Sequence, residues 1–323
     1  MILITGATGF LGAELTRQLA EKGLPLRATR RSRSLHPPQL SPYKNIEWVE
    51  ADLLNTASIE YALRDVTRVY HCAAMLSFDP RDKQALIRTN VTGTGNLVNA
   101  CLAQGNIRMV HVSSIAAIAD AKPGKAANEQ DEYENSPDID GYGISKYESE
   151  MEVWRGIAEG LEAVIVNPSI IIGESAGAKG SGKIFETVRR GLRFYTRGGC
   201  GFVDVKDVAA VMIRLMDSTV SAQRYIINAE NWSYKALFTL AAKELGVTPP
   251  SKEAKPWMLE LAWRLSAFAR VFGLKAGLDK TTARSASIPQ FYENRKITSE
   301  TGFVFRPVQE TVAEICAALK TSG

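Results

Sequence analysis

Tyr142-Gly143-Ile144-Ser145-Lys146 sets a phenol and an ammonium four residues apart, and in a helix that spacing puts both on one face. The pair has a chemical use. A phenol, with a reference pKa of about 10, exchanges protons poorly near neutrality, and a neighbouring ammonium stabilises its anion. The chain has 10 tyrosines, so the motif also arises by chance, and it recurs at Tyr292 and Lys296. A second constellation stands at the start of the chain. Gly6, Gly9 and Gly12 of TGATGFLG follow a short apolar run and precede helical spacing, with Leu15 and Leu19 four residues apart. Glycines at a strand-to-helix turn permit a tight bend and let backbone approach a pyrophosphate seated on the helix N-terminus. Nucleotide binding is the expectation in that context.

Other chemistries are poorly served. His36, His71 and His111 are the three histidines, and Cys72, Cys101, Cys200 and Cys316 lie scattered without a CxxC pair. Neither set has the spacing of a metal centre or a disulfide scaffold. His71 and His111 fall on strand patterns and read as core residues. Lys and Arg number 39 against 35 Asp and Glu, too slight and too even a surplus to imply a nucleic-acid partner. No basic leader and no apolar run of spanning length is visible. The expectation is a cytoplasmic protein without an integral membrane segment.

The elements that must hold these residues alternate. Short apolar runs at 1–5, 25–29, 46–49, 66–72, 109–113 and 163–166 read as buried strands. Helical spacing falls between them at 13–22, 56–63, 87–101 and 142–158. Strands alternating with helices of this length imply right-handed crossovers, an α/β fold and a doubly wound parallel sheet. Residues 122–141 are polar and acidic, and read as a surface loop. The alternation weakens after Gly173. Residues 177–182 are glycine-rich, 202–216 return to strand-then-helix, 224–228 give a further strand, and the chain from Ser233 is mostly helical with a joint at Pro249 and Pro250. Residues 1–173 plus 201–230 are therefore expected to form the nucleotide-binding domain. Residues 174–200 plus 231–323 are expected to form a smaller, mainly helical lobe over the substrate.

The spacing GxxGxxG resembles that of the short-chain dehydrogenase/reductase superfamily in its extended branch, the NAD-dependent epimerase/dehydratase type with its Rossmann fold. Further motifs in order carry the resemblance along nearly the whole chain. Asp52 and Leu53 match the adenine-contacting pair, and His71-Cys72-Ala73-Ala74 the end of the fourth strand beside the cofactor. Asn90-Val91-Thr92-Gly93-Thr94 matches a helix signature, and 202–209 (FVDVKDVA) a late one. The resemblance implies that Gly6, Thr8, Gly9, Phe10, Leu11, Gly12, Asp52, Leu53, Ala73, Ala74, Ser113, Tyr142, Lys146 and Pro168 contact the dinucleotide. It selects Tyr142 and Lys146 over Tyr292 and Lys296, because Tyr142 follows a strand ending in Val112-Ser113-Ser114.

Similarity is greatest to dihydroflavonol reductase-like and 3β-hydroxysteroid dehydrogenase-like proteins, whose pattern at Ser113-Ser114-Ile115 implies Ser114 as the catalytic hydroxyl. The epimerase pattern would put that role on Ile115. Arg30, Arg31 and Arg33 stand at the end of the second strand, where an NAD enzyme carries a carboxylate for the ribose 2′-hydroxyl. Guanidiniums there suit a 2′-phosphate, so NADP (as NADPH) is expected rather than NAD. The implied reaction is exchange of a carbonyl and a secondary alcohol on a bulky, apolar small molecule. A sugar-nucleotide epimerase with tightly held NAD and a non-catalytic NADP-sensing interaction protein are the alternatives. A homodimer, paired through the helices over 90–101 and 142–158, is a further implication.

Three features stay open. Asn90 reads either as holder of a relay water or as part of a helix kink. Trp257, Leu261, Arg264, Leu265, Phe268 and Phe272 repeat at helical spacing, either as lobe core or as a wall facing an apolar substrate or a membrane surface. Lys179, Lys183, Arg189, Arg190, Arg193 and Arg197 read either as a solvated helix face or as a substrate-anion site.

Overall fold

A computed structural model describes residues 1–121, 124–131, 133, 141–177, 180–271 and 286–321. Lys179, Phe272, the side chains of Leu265 and Phe268 and much of the 122–141 segment lie outside the described residues.

Seven strands form one parallel sheet: β1 (Ile2–Thr5), β2 (Leu26–Arg30), β3 (Ile46–Glu50), β4 (Arg68–His71), β5 (Arg108–Val112), β6 (Glu162–Pro168) and, much later, Gln223–Ile227. Their spatial order is β3-β2-β1-β4-β5-β6 with Gln223–Ile227 on the outer edge. The central strands are apolar on both faces, as a sheet covered on both sides requires. Leu3, Val69, Met109, Ala163 and Ile165 pack on one side with Leu97, Val98 and Val153. Ile2, Ile4, Tyr70, Val110, Val164 and Val166 pack on the other with Leu11, Leu15, Val208 and Met212.

The helices on the first side are α2 (Thr56–Leu63), the short α3 (Lys83–Leu86), α4 (Gly93–Gln104) and α5 (Gly141–Ala158). α1 (Phe10–Glu21) lies on the second side. The expected helix over 87–101 is not uniform: Ile87–Thr92 is a π turn that runs into α4. The wider turn rotates Asn90 inward, where it is buried.

The strand expected near 202 departs from the main sheet. β9 (Gly199–Asp204) pairs instead with β7 (Ile170–Ile172), β11 (Glu230–Ser233) and β13 (Pro289–Gln290), β10 being the edge strand Gln223–Ile227 and β8 (Phe194–Tyr195) pairing with β12 (Lys252–Glu253). Its glycines explain the placement. A Cβ on Gly199 would lie 2.6 Å from the Trp232 oxygen, and one on Gly201 would lie 2.3 Å from Asn228 Oδ1. The following helix does return to the large sheet: α7 (Val205–Asp217) packs beside α1. The remaining helices are α6 (Gly182–Arg189), α8 (Tyr234–Leu245), α9 (Pro256–Val271), α10 (Arg295–Thr301) and α11 (Val308–Thr321). Phe185, Phe202, Leu237, Ala241, Val312 and Ile315 form a core shared by several of them with β9. No described helix is long and apolar enough to cross a membrane.

All seven main strands are parallel, so their C-terminal ends share one edge. The strand order reverses between β1 and β4, and ligands of such sheets bind in the crevice that opens at that point.

Candidate active site

The glycine turn lies at this crevice. Gly6 ends β1 with φ +69°, and a Cβ there would sit 2.7 Å from the backbone of Ala73. Gly12 is closed off in the same way, since its Cβ would be 2.2 Å from the Gly6 oxygen. Gly9 donates its N–H to the Gly6 oxygen at 2.9 Å and caps α1 without a side chain, and α1 has no acid in its first turn. The N–H groups and dipole of that helix end therefore face the crevice unneutralised by side chains. This cradle fits an anionic pyrophosphate, with Thr8, Phe10 and Leu11 beside it in sequence.

The other proposed cofactor contacts lie around the same edge. Asp52, exposed, accepts from Leu54 N, and Leu53 packs on Gly93 at the start of α4. Ala73 donates its N–H to Thr5 Oγ1 at 3.3 Å, next to the exposed Ala74. Pro168 is buried at the end of β6. Arg30, half-buried at the end of β2, reaches only the oxygens of Arg31 (3.5 Å) and Ser32 (3.2 Å) among the described residues. Arg31 and Arg33 are exposed.

Tyr142 and Lys146 occupy the first turns of α5. Lys146 is buried, and its Nζ donates to the Val112 oxygen at 2.7 Å, just ahead of the two serines. Burial pushes its pKa down to about 8, a lowering partly offset by the Glu150 carboxylate one turn along the helix. The Tyr142 ring is half-exposed and meets Phe78 edge-on at 5.7 Å.

The serines differ. Ser113 is buried, and its hydroxyl donates to Glu150 Oε2 at 2.6 Å. Ser114 is half-buried. Its Oγ accepts the Ala116 N–H at 3.1 Å, which fixes the oxygen while leaving the hydroxyl proton available.

Residues that sequence reasoning missed or left open complete the site. Asn90 pins the loop after β4: its Oδ1 accepts from Met75 N at 2.7 Å, and its Nδ2 donates to Met75 O at 3.0 Å and to Ser145 Oγ at 2.9 Å. That loop displays Leu76 and Phe78, 57% and 49% exposed, the latter against Tyr142. His71 bridges Thr5 Oγ1 (2.7 Å) and Thr94 Oγ1 (3.0 Å), and burial, helped by the Lys146 charge, pushes it down to about 3, so the ring is neutral. His111 stands beside it, centroids 5.1 Å apart, also buried. Both histidines are therefore core residues. Glu150 was missed although Tyr142, Lys146 and Glu150 repeat every four residues, a spacing that carries the inward face of α5 onward.

The basic cluster is largely committed elsewhere. Glu186 holds both Arg189 (2.7 Å) and Arg190 (2.6 Å), and Glu253 holds Arg197 (2.7 Å). Tyr292 is buried in the other core, and Lys296 is held by Gln223 and the Arg224 oxygen.

Comparison with known proteins agrees with this geometry. Residues 2–229 match the NAD dependent epimerase/dehydratase family. The chain belongs to that family. Within this family, of the extended short-chain dehydrogenase/reductase superfamily, it is 30% identical to a Synechocystis sp. protein named "Putative dihydroflavonol 4-reductase", over 96% of this chain and 92% of the relative. It is 34% identical to sterol demethylase protein B of Methylococcus capsulatus over 71% of this chain and 70% of that protein. A crystal structure, that of gox2253, superposes with a TM-score of 0.86 at 29% identity, covering 100% of this chain and 98% of the other. Members of the family bind a nicotinamide dinucleotide.

The glycine turn supplies a first expected result. In Gly12→Ala the added Cβ meets the backbone oxygen of Gly6, so the turn must open. Overpacking against backbone costs about 1–3 kcal/mol, and dinucleotide affinity should fall at least about tenfold with it. Thermal unfolding and nicotinamide-fluorescence titration read the two losses.

Proposed function

We propose that the protein is an NADP-dependent reductase that interconverts a carbonyl and a secondary alcohol on a bulky, apolar small molecule. One observation carries the reading: the buried Lys146 ammonium, tied to the Val112 oxygen, lies one helical turn from Tyr142 and directly behind Ser113 and Ser114 at the C-terminal edge of the sheet.

The reading gives each residue a role. Ser114 offers its hydroxyl proton to the substrate oxygen and polarises the carbonyl. Tyr142 gives its phenolic proton to the same oxygen in reduction and takes it back in oxidation. Lys146 stabilises the phenolate left behind and binds the nicotinamide ribose. The glycine turn and the N-terminus of α1 hold the pyrophosphate. The bound nicotinamide supplies the hydride chemistry.

The apolar substrate class is supported by the exposed Leu76 and Phe78 of the loop that Asn90 holds, with Phe78 against Tyr142. An exposed apolar surface next to a polar catalytic group favours a large, weakly polar substrate. The sterol in the name of the Methylococcus relative is consistent with it. The preference for NADP is supported by Arg30, Arg31 and Arg33, none of which is paired with a carboxylate among the described residues.

The test of cofactor choice is titration of wild type and the Arg30→Ala/Arg31→Ala double variant with NADPH and NADH, followed by nicotinamide fluorescence. Charge-assisted hydrogen bonds contribute about 1.5–3 kcal/mol each, so the double variant should lose at least about 100-fold in NADPH affinity while NADH binding changes little. Equal or tighter binding of NADH by wild type would overturn the assignment and favour an epimerase.

A further inference from the structure

Glu150 is a carboxylate with no exposed surface, and the proposed mechanism gives it no task. Its Oε2 accepts from Ser113 Oγ at 2.6 Å and from Asn167 Nδ2 at 2.8 Å. Its Oε1 accepts from Trp154 Nε1 at 3.3 Å and faces Arg224 Nη1 at 3.5 Å. These partners come from the end of β5, from β6, from α5 itself and from the edge strand β10. Asn167 donates its amide further, to the Ser114 oxygen at 3.0 Å. Glu150 thus reaches Ser113 directly and Ser114 through Asn167.

A buried ion pair is a weak source of stability, because desolvation consumes most of its Coulombic gain. The location of this one points to another use. Around Lys146 stand His71 from β4 and Cys72 just after it, His111 from β5 and Glu150 from α5. Burial keeps both histidines neutral and pushes the Cys72 thiol up to about 12. Among these groups only Glu150 carries a carboxyl group.

Resting on the reductase reading above, we propose that Glu150 is a positioning residue: it fixes the Ser113–Ser114 turn onto the helix that bears Tyr142 and Lys146, and it is the counter-charge of the Lys146 ammonium. Arg224 faces Oε1 of the same carboxylate, and its charge limits how much of the carboxylate's charge Lys146 feels.

The experiment compares wild type, Glu150→Gln, Glu150→Asp, Arg224→Met and Lys146→Met. Each is titrated with NADPH by fluorescence from pH 6 to pH 10, and thermal unfolding checks the fold. Without the carboxylate, Lys146 releases its proton at lower pH. The pH at which NADPH affinity falls should therefore drop by about one unit in Glu150→Gln. Glu150→Asp keeps the charge and should restore most of the wild-type profile. Arg224→Met, which unmasks the carboxylate, should move the fall to higher pH, and it carries the test if Glu150→Gln does not fold. A folded Glu150→Gln protein with the wild-type profile would overturn the proposal and leave Glu150 a structural residue. Lys146→Met with wild-type affinity and pH dependence would instead remove the reading of Lys146 on which the proposal stands.

Discussion

Tyr142→Phe should lower NADPH-dependent carbonyl reduction by about 10²–10⁴-fold, the usual contribution of a positioned general acid. The substitution deletes one oxygen. The ring keeps its edge contact with Phe78, and its half-exposed site asks nothing of core packing. Unfolding temperature should therefore stay within about 2 °C of wild type, and NADPH affinity should change little. Initial rates followed by loss of reduced-nicotinamide absorbance, set beside the fluorescence titration, separate chemistry from binding. A variant within a few-fold of wild-type turnover would mean that another group donates the proton.

The second large effect pairs a loss with a gain. Lys146→Met should abolish measurable turnover and at the same time stabilise the fold. Burial has moved the Lys146 pKa from its ordinary 10.5 to about 8, which corresponds to about 3 kcal/mol spent on keeping the ammonium charged inside the protein. Methionine fills the same channel without a charge. Losing the bond to the Val112 oxygen returns about 1 kcal/mol of that, leaving a net gain on the order of 2 kcal/mol. The sign with pH follows from the depressed pKa. Below pH 8 folded and unfolded chains both hold the proton, and the full cost of the buried charge is present. Between about pH 8 and pH 10.5 the folded chain has released it, so wild type recovers stability as pH rises through this window. Thermal unfolding at pH 7 and pH 10 should show the advantage of Lys146→Met at the lower pH and its disappearance at the higher. No advantage at pH 7 would mean that water or a neighbour already solvates the ammonium.

The candidate site was legible in the sequence wherever a local backbone or a helical face dictates residue type. The glycine turn is the clearest case, because Gly6 and Gly12 have no room for a Cβ and only glycine serves there. The seven-stranded sheet was legible because strands covered on both faces must be apolar throughout. Spacing put Tyr142 and Lys146 on one side of a helix, but Tyr292 and Lys296 share it, and the family resemblance selected between the two pairs.

What escaped depends on partners distant in the chain. The resemblance chose Ser114 over Ser113, but their different surroundings, Glu150 on Ser113 and the Ala116 N–H on Ser114, are not written in the sequence. A glutamate reads as solvated by default, so Glu150, in contact with Asn167 and Arg224, was passed over although it continues the four-residue spacing of Tyr142 and Lys146. The π turn at Ile87–Thr92 differs from an α-helix by a single residue of register, and no side-chain type marks it. β9 reads as a strand of the large sheet until the close approaches of Gly199 and Gly201 are seen. The basic cluster could have been read further: Glu186 lies three and four residues before Arg189 and Arg190, the spacing at which helical ion pairs form.

The most direct test of the reductase reading is the stoichiometry of a single reaction. Purified wild type is mixed with NADPH and a panel of bulky aryl ketones, and loss of reduced-nicotinamide absorbance is compared with alcohol formed. The expected result is one alcohol for each NADPH consumed by wild type, with Tyr142→Phe at least about 100-fold slower. Protein that releases stoichiometric NAD on denaturation, and consumes no added NADPH with any ketone, would contradict the reductase and identify an enzyme that oxidises and re-reduces its substrate within one cycle.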